Sequence, residues 1–354
     1  MERLGDENPE VRAMAVLSLG RHGKGSEKIE EALKKFENDQ DPGIRMSYML
    51  ARAFMGKPDE SSIPDLMEAL AGKETAFSEA ATGLLETVST KSPEKVLPPV
   101  VKILEQPDHP AAERAMSILR VMRENAISAL PVVAGLYNKG DTKIRVAVIR
   151  TLTTIDKDGE QALPITIKAL EDPEVKIRRQ ALQSLPAYRK KSDLFLKPLI
   201  GCLKENDEEN RILALGIIRG LGSNAPDVVS AVISLTRDRS QNVRTPAIST
   251  LGSFNPSSPE IIAALKDVLE NGSTVDKSVA VAAFRRIGAA QTQDVIPILE
   301  KALETEKDER LKLTITNALA SLTKKPGEPT QAPSNKEEKR KHSSKEKESQ
   351  KEQQ

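Results

Sequence analysis

The most regular feature of the chain is a pattern of apolar positions that returns every 33 to 35 residues. Each copy has an anchor, usually apolar, then a small residue four positions later and an apolar residue eight positions later. Positions separated by four and eight residues share one stripe of an α-helix. The pattern therefore predicts ten amphipathic helices, whose anchors are Val11, Ile44, Phe77, Ala111, Ile144, Ile177, Asn210, Val243, Asp276 and Leu311.

A second apolar stripe lies upstream of the anchors, at 14, 10 and 7 residues before them, as in Leu163, Ile167 and Leu170. It predicts a leading helix in each unit. No stretch alternates with a period of two between turn residues, so we expect no strands. A helical hairpin of this length buries its two faces only by stacking on its neighbours. The sequence thus predicts an all-α fold, an α-solenoid (α/α superhelix) of about ten stacked two-helix repeats.

Two charged positions accompany the anchors. An acidic or Asn residue stands five positions before the anchor in seven units, where we expect it to cap the second helix or meet its dipole. These residues are Asp6, Asp39, Asp172, Glu205, Asp238, Asn271 and Glu306.

A basic residue often follows the anchor and flanks the buried stripe, so we expect it to pair with the acidic residue of the next unit. The arginines of this structural ladder are Arg12, Arg45, Arg145, Arg178, Arg211 and Arg244, and the acids that we assign to it are Asp6, Asp39, Asp172 and Asp238.

The units resemble HEAT repeats, especially the bacterial, phycobilisome-lyase type. The copies that carry the resemblance best are LPITIKALEDPEVKIRRQALQSL at 163–185 and DENPEVRAMAVLSLG at 6–20. The resemblance covers residues 1–323 and implies an armadillo-like helical array whose second helices line the concave side.

The two ends of the chain depart from the repeat. Only ten residues precede Val11, so we expect the first repeat to lack its leading helix and to leave an apolar side uncovered. Residues 324–354 have no periodic apolar positions and hold 9 Lys and Arg against 6 Glu. Such a composition cannot form a packed core, so we expect a charged, disordered tail.

Composition narrows the classes of function. The chain has 354 residues with 53 basic and 52 acidic side chains, which disfavours a generally basic nucleic-acid binder. It has no apolar run long enough to span a membrane. We expect a cytoplasmic protein, monomeric unless the uncovered first repeat pairs. Cys202, the single cysteine, lies in the apolar run LKPLIGCLKEN, which favours a buried structural thiol.

Catalytic motifs are missing from the sequence. His22, His109 and His342 stand far apart without metal-ligand spacing, and no phosphate-binding or nucleophile-elbow motif occurs. We therefore expect no catalytic residue, no metal and no cofactor, and a protein that is not an enzyme.

The remaining candidate site is the helix surface opposite the buried stripe. Positions two, six and nine after the anchor hold acidic residues in the early units, Glu79, Glu86 and Glu113. In later units they hold arginines, which suit carboxylate or phosphate recognition. These candidate partner-binding residues are Arg120, Arg150, Arg179, Arg219 and Arg285.

These observations predict a non-catalytic scaffold or adaptor that binds protein partners along the concave face. Two alternatives stay open. One is a bilin-lyase-like or other small-molecule-handling HEAT protein, and the other is a weak nucleic-acid binder that uses the basic later repeats and the tail.

Overall fold

Helices make up the regular structure of the chain in its computed structural model, which describes residues 1–57, 60–72, 75–106, 108–254, 257–288 and 291–323. Those ranges contain no strand, so the fold is all-α, as the period of the apolar pattern predicts. The predicted tail at 324–354 lies outside the described residues.

The helices come in pairs, one pair for each repeat after a single opening helix, α1 (Pro9–His22). The first helices of the pairs are α2 (Glu27–Lys34), α4 (Ile63–Ala71), α6 (Pro93–Leu104), α8 (Leu130–Leu136), α10 (Ala162–Ala169), α12 (Leu196–Cys202), α14 (Pro226–Ser234), α16 (Pro259–Asn271) and α18 (Thr292–Thr305). The second helices are α3 (Pro42–Phe54), α5 (Thr75–Ser89), α7 (Ala112–Met122), α9 (Thr142–Ile155), α11 (Val175–Ser184), α13 (Glu208–Leu221), α15 (Gln241–Leu251), α17 (Thr274–Gly288) and α19 (Glu309–Thr323).

Short 3-10 helices join several of these elements. They lie at Glu2–Gly5, Glu60–Ser62, Arg123–Ala129, Leu185–Leu194 and Leu235–Arg237.

The chain divides into two compact units, the first at Met1–Thr250 and the second from Leu251 onward. In the first unit, the second helices pack on each other in chain order from α1 and α3 through α11 and α13. In the second unit, α17 packs on α16, α18 and α19. Each unit is thus built from stacked helix pairs, the arrangement of an α-solenoid.

In several second helices the capping side chain lies three residues before the anchor, and not five as the sequence pattern suggested. Asp41 Oδ1 accepts from the Gly43 N–H at 2.8 Å, and Asp207 Oδ1 accepts from the Asn210 N–H at 2.9 Å. Such bonds satisfy N–H groups that have no partner within the helix. The acids five residues before the anchor fold the loop instead, as where Asp172 Oδ1 accepts from the Glu174 N–H at 3.0 Å.

The stripe at the anchor and four and eight residues later forms the core between neighbouring pairs. Its small and large members alternate, and a fully buried Leu or Ile there contributes about 2 kcal/mol. The fully buried members include Ala81, Leu85, Ala115, Leu119, Ala181, Leu185, Ala214, Ile218, Ala247 and Leu251.

The first repeat buries this stripe less completely. Leu4, in the 3-10 helix before α1, is buried in one apolar cluster with Val16, Leu33 and Phe36. The stripe residues of α1, Val11, Ala15 and Leu19, stay only half-buried. Met14 on the same helix is 71% exposed.

Gly20 lies where α1 and α3 approach each other closely. A Cβ atom placed on Gly20 in α1 would lie 2.3 Å from the Cα atom of Ala51 in α3. No side chain fits at that distance, so a larger residue would force the two helices apart. Gly216, on the exposed side of α13, has no atom within 4 Å of such a Cβ.

We therefore expect opposite effects from the same substitution at these two glycines. Gly20→Ala should lower the free energy of unfolding by about 2 kcal/mol because it overpacks the helix contact. Gly216→Ala, the matched control, should raise it by about 1 kcal/mol because alanine is the better helix former. Urea unfolding followed by circular dichroism measures both, and an unchanged stability of Gly20→Ala would contradict the close packing.

Candidate functional site

In four of the described repeats, the basic side chain just after the anchor forms an ion pair with the next repeat. In each pair the acidic residue lies in the loop between the two helices of the following repeat. The pairs are Arg145 with Asp172 (Nη1 to Oδ2, 2.7 Å), Arg178 with Glu205 (Nε to Oε2, 2.8 Å), Arg211 with Asp238 (Nη2 to Oδ1, 2.9 Å) and, in the second unit, Lys277 with Glu306 (Nζ to Oε2, 3.3 Å). These side chains are largely buried, so the pairs belong to the stacking of the repeats.

Ladder arginines also bind the loop that precedes their own helix. Arg178 Nη1 donates to the carbonyl oxygens of Asp172 at 2.7 Å and Pro173 at 2.9 Å. The same bond to the carbonyl six residues earlier recurs in four more repeats, from Arg12 to Asp6, Arg45 to Asp39, Arg211 to Glu205 and Arg244 to Asp238. One guanidinium therefore holds its own loop and, in the middle repeats, the next repeat as well.

Asp6 and Asp39 differ from the pairing that the sequence suggested. Arg12 and Arg45 reach their backbone carbonyls, whereas the Asp6 carboxylate pairs with Arg3 at 3.0 Å. The Asp39 carboxylate accepts from the Asp41 N–H at 3.0 Å. In the described part of the chain no ion pair joins Arg12 or Arg45 to the next repeat. Position 72, which corresponds to the ladder acid for Arg45, is a glycine and has no carboxylate to offer.

Asn210 stands at an anchor position although it is polar and fully buried. Its Oδ1 accepts from Arg179 Nε at 3.3 Å, and its Nδ2 donates to Glu205 Oε2 at 3.0 Å. Both ends of the amide are thus paired, which removes the cost of burying it. Asn210 therefore links the Arg178–Glu205 ion pair to Arg179, one of the predicted partner-binding arginines.

A groove of about 820 Å³ crosses the exposed faces of α7, α9 and α11 in the first unit. It brings together three of the five predicted partner-binding arginines, Arg120, Arg150 and Arg179.

The lining of this groove is more basic than acidic. Lys143 and Lys176 add positive charge to it. Three carboxylates, Glu113, Asp141 and Glu174, also line it, so five basic groups face three acidic ones. We call this surface the arginine groove.

Arg120 and Arg150 each bind a neutral acceptor one repeat further on. Arg120 Nη1 donates to Thr151 Oγ1 at 3.3 Å, and Arg150 Nη2 donates to Gln180 Oε1 at 3.1 Å. Within the described ranges neither guanidinium forms an ion pair. Burial, and next the positive charge of Arg150, lower the pKa of Arg120 from its usual value. Because their acceptors are neutral, no carboxylate of the described chain forms an ion pair with Arg120 or Arg150.

Arg179 is paired within the protein. Its Nη2 donates to both oxygens of Asp207, at 3.0 and 3.1 Å, and its Nη1 lies 3.0 Å from Glu209 Oε2. Burial raises the pKa of Asp207, but hydrogen bonds from the Asn210 N–H and from Arg179 outweigh it and hold the pKa below its usual value. The geometry thus places Arg179 at the groove with its charge already balanced.

The other two predicted arginines lie elsewhere. Arg219 is exposed in the last turn of α13 and does not line the groove, and Arg285 is exposed in α17 of the second unit. The three acidic residues predicted on the same face of the early repeats have different surroundings. Glu113 lines the groove, Glu86 accepts from Ser117 Oγ at 2.8 Å, and Glu79 is exposed.

The sequence pattern did not single out Thr151 and Gln180, the acceptors that orient the two unpaired arginines. Both are buried, with exposed fractions of 0% and 8%. They follow Arg120 and Arg150 by 31 and 30 residues. A search for polar residues about one repeat after each surface arginine would have found them.

The described ranges hold neither a metal-ligand cluster nor a helix suited to span a membrane. In these ranges no three or more His, Cys, Asp and Glu side chains are grouped so that they could hold a metal ion. No helix among these residues is long and apolar enough to cross a membrane.

The comparisons with known proteins agree with this architecture. A family model described as HEAT repeats matches residues 1–86 and 196–285. The chain therefore carries HEAT repeats in these segments, and similar helix pairs fill the interval between them. No curated protein matches the chain.

Two solved structures resemble the chain. The crystal structure of an engineered protein matches with a TM-score of 0.50 and 16% identity, over 91% of this chain and 98% of that one. The X-ray structure of YIBA_ECOLI matches with a TM-score of 0.44 and 14% identity, over 90% of this chain and 98% of that one. At 16% identity, the likeness to the engineered protein concerns the fold alone.

The most buried ladder pair should be a large contributor to stability. Arg211 and Asp238 have side chains that are 5% and 9% exposed, so removing the guanidinium leaves a buried carboxylate uncompensated. We expect Arg211→Ala to lower the free energy of unfolding by about 3 kcal/mol. Arg219→Ala on the same helix is the control and should change it by less than about 0.5 kcal/mol. Equal urea midpoints for the two variants would show that the ladder does not stabilise the stack.

Cys202 lies in α12 beside the ladder and is 2% exposed. Burial, and then the nearby Glu205 carboxylate, raise the pKa of its thiol to about 12. Because the thiolate is the reactive form, we expect no reaction of the native protein with Ellman's reagent in mildly alkaline buffer. The chain unfolded in urea should react fully and serves as the control. Rapid labelling of the folded protein would contradict the burial of this thiol.

Proposed function

We propose that the protein is a non-catalytic scaffold or adaptor that holds a protein partner in the arginine groove. Two findings support this role. The chain consists of stacked helix pairs with HEAT repeats, an architecture that exposes long helix surfaces to solvent. The first unit then presents a groove on one such surface, with a volume in the range of known ligand sites.

The observation that carries the proposal is the contrast between two sets of arginines. Ladder arginines such as Arg178 and Arg211 have carboxylate partners at 2.8 and 2.9 Å. Arg120 and Arg150 have only a hydroxyl and an amide as acceptors. A carboxylate brought by a partner would form charge-assisted hydrogen bonds with them, which are about twice as strong as neutral ones.

The alternative function, binding of a pigment, is suggested by the resemblance of the repeats to the phycobilisome-lyase type. The lining of the arginine groove contains no aromatic side chain that could stack on a tetrapyrrole. We therefore place protein binding first and include a tetrapyrrole as a separate arm of the test, read by its absorbance spectrum.

Capture from a native lysate, quantified by mass spectrometry, tests the proposal with three immobilised full-length proteins. The wild type is compared with Arg120→Glu/Arg150→Glu and with Arg219→Glu, a charge reversal outside the groove. We expect a stoichiometric protein that the double variant loses at least tenfold and the control retains.

Equal capture by the two variants would contradict the groove as the binding surface. Loss of the captured protein after nuclease treatment would show that the groove binds nucleic acid and not the protein itself. Circular dichroism should give the same helix content for all three proteins, since the exchanged arginines form no ion pair in the described chain.

A further inference from the structure

We infer that the arginine groove recognises an extended acidic peptide segment whose two carboxylates stand three residues apart. This inference rests on the proposed function and names the chemistry of the partner. It follows from how Arg120 and Arg150 are held, how far apart their helices lie, and which charges border them.

Buried acceptors fix the direction of both guanidinium groups. Arg120 on α7 reaches Thr151 on α9, and Arg150 on α9 reaches Gln180 on α11. Each arginine therefore crosses from its own helix to the next one and is held there by a side chain that is at most 8% exposed. One bond to the acceptor leaves the remaining N–H groups of the planar fork for a ligand, a geometry that matches a carboxylate.

The repeat sets the distance between the two arginines. They lie on α7 and α9, neighbouring second helices that pack directly on each other. Packed helices lie about 8 to 10 Å apart. Arg120 stands nine residues after its anchor and Arg150 six after its own, so the two are also offset by about 4.5 Å along the helices. Their Cα atoms are therefore about 10 Å apart. A peptide extended in the polyproline II conformation advances about 3.1 Å per residue and has three residues per turn, so residues three apart point to the same side. Two carboxylates three residues apart therefore face the groove together, span about 9 Å, and meet both arginines at once.

Neighbouring charges limit the acidic part of the segment at both ends. Toward α11, Arg179 is already bound to Asp207 and Glu209. Toward α5, Glu113 lines the groove and Glu86 lies on the next helix, so a further carboxylate would be repelled there. The best ligand has two acidic residues and then a basic residue on the side of Glu113.

The lining favours a peptide over a nucleic acid. Its three carboxylates, Glu113, Asp141 and Glu174, oppose the uninterrupted negative charge of a phosphate backbone. No aromatic residue lines the groove to stack on a base. A peptide with separate charges can place carboxylates at the arginines and neutral or basic groups elsewhere.

Fluorescence anisotropy with defined peptides tests the spacing. The spaced peptide carries two Glu residues three positions apart in a Gly/Ser background, with one Lys three positions beyond them. A second peptide has the same composition with adjacent Glu residues, and a third replaces both Glu by Gln. Each is labelled with fluorescein and titrated with the full-length wild type, Arg120→Gln, Arg150→Gln and Arg219→Gln.

We expect the spaced peptide to bind the wild type roughly tenfold more tightly than the other two peptides. Arg120→Gln and Arg150→Gln should each weaken it by a similar factor, while Arg219→Gln should leave it unchanged. Equal binding of the spaced and adjacent peptides, or no binding of either, overturns the inference. Stronger binding of a single-stranded oligonucleotide that depends on the same two arginines also overturns it.

The outcome separates this inference from the proposed function. If lysate capture depends on Arg120 and Arg150 but an excess of the spaced peptide does not compete, the partner binds the groove through other chemistry. Competition by the spaced peptide alone, without the adjacent or Gln peptides, supports both.

Discussion

Packing of one second helix against the second helix of the next repeat, from α1 to α13 in the first unit and between α17 and α19 in the second, is the constraint on which the rest of the structure depends. It requires a narrow stripe of residues at the anchor and four and eight positions later, with alanine often in the middle, as at Ala81 and Ala115. The close approach of α1 and α3 at Gly20 and Ala51 leaves no room for even a methyl group. Where α1 has only a short 3-10 helix before it, the same stripe stays half-buried.

The charged ladder follows from this packing. A basic residue next to the anchor lies at the edge of the helix contact, where water is mostly excluded and an unpaired charge is costly. The loop of the following repeat passes this edge and supplies the carboxylate, as Asp172 does for Arg145 at 2.7 Å. Burying Asn210 becomes possible for the same reason, because Glu205 and Arg179 satisfy both ends of its amide.

The surface on the other side of the second helices has no such requirement. On that surface, the residue that the next repeat offers decides whether an arginine is neutralised. Arginines of different repeats contact a threonine, a glutamine or an aspartate. Arg120 and Arg150 meet neutral groups, whereas Arg179 meets Asp207 and Glu209. A stacked array can therefore keep one architecture and change its ligand by exchanging a few surface positions.

The sequence by itself determined the helical class, the two-helix unit and the members of the buried stripe, because these depend on a period that local geometry imposes. It also placed Arg120, Arg150 and Arg179 on one face. Only the tertiary structure decided which of them remain unpaired, since their acceptors lie 28 to 31 residues away on another helix. The helix caps, in contrast, are local: Asp41 and Asp207 accept from N–H groups two and three residues further along the chain, so the sequence also contained this signal. Periodicity is a property of one helix, whereas charge balance is a property of two helices in contact.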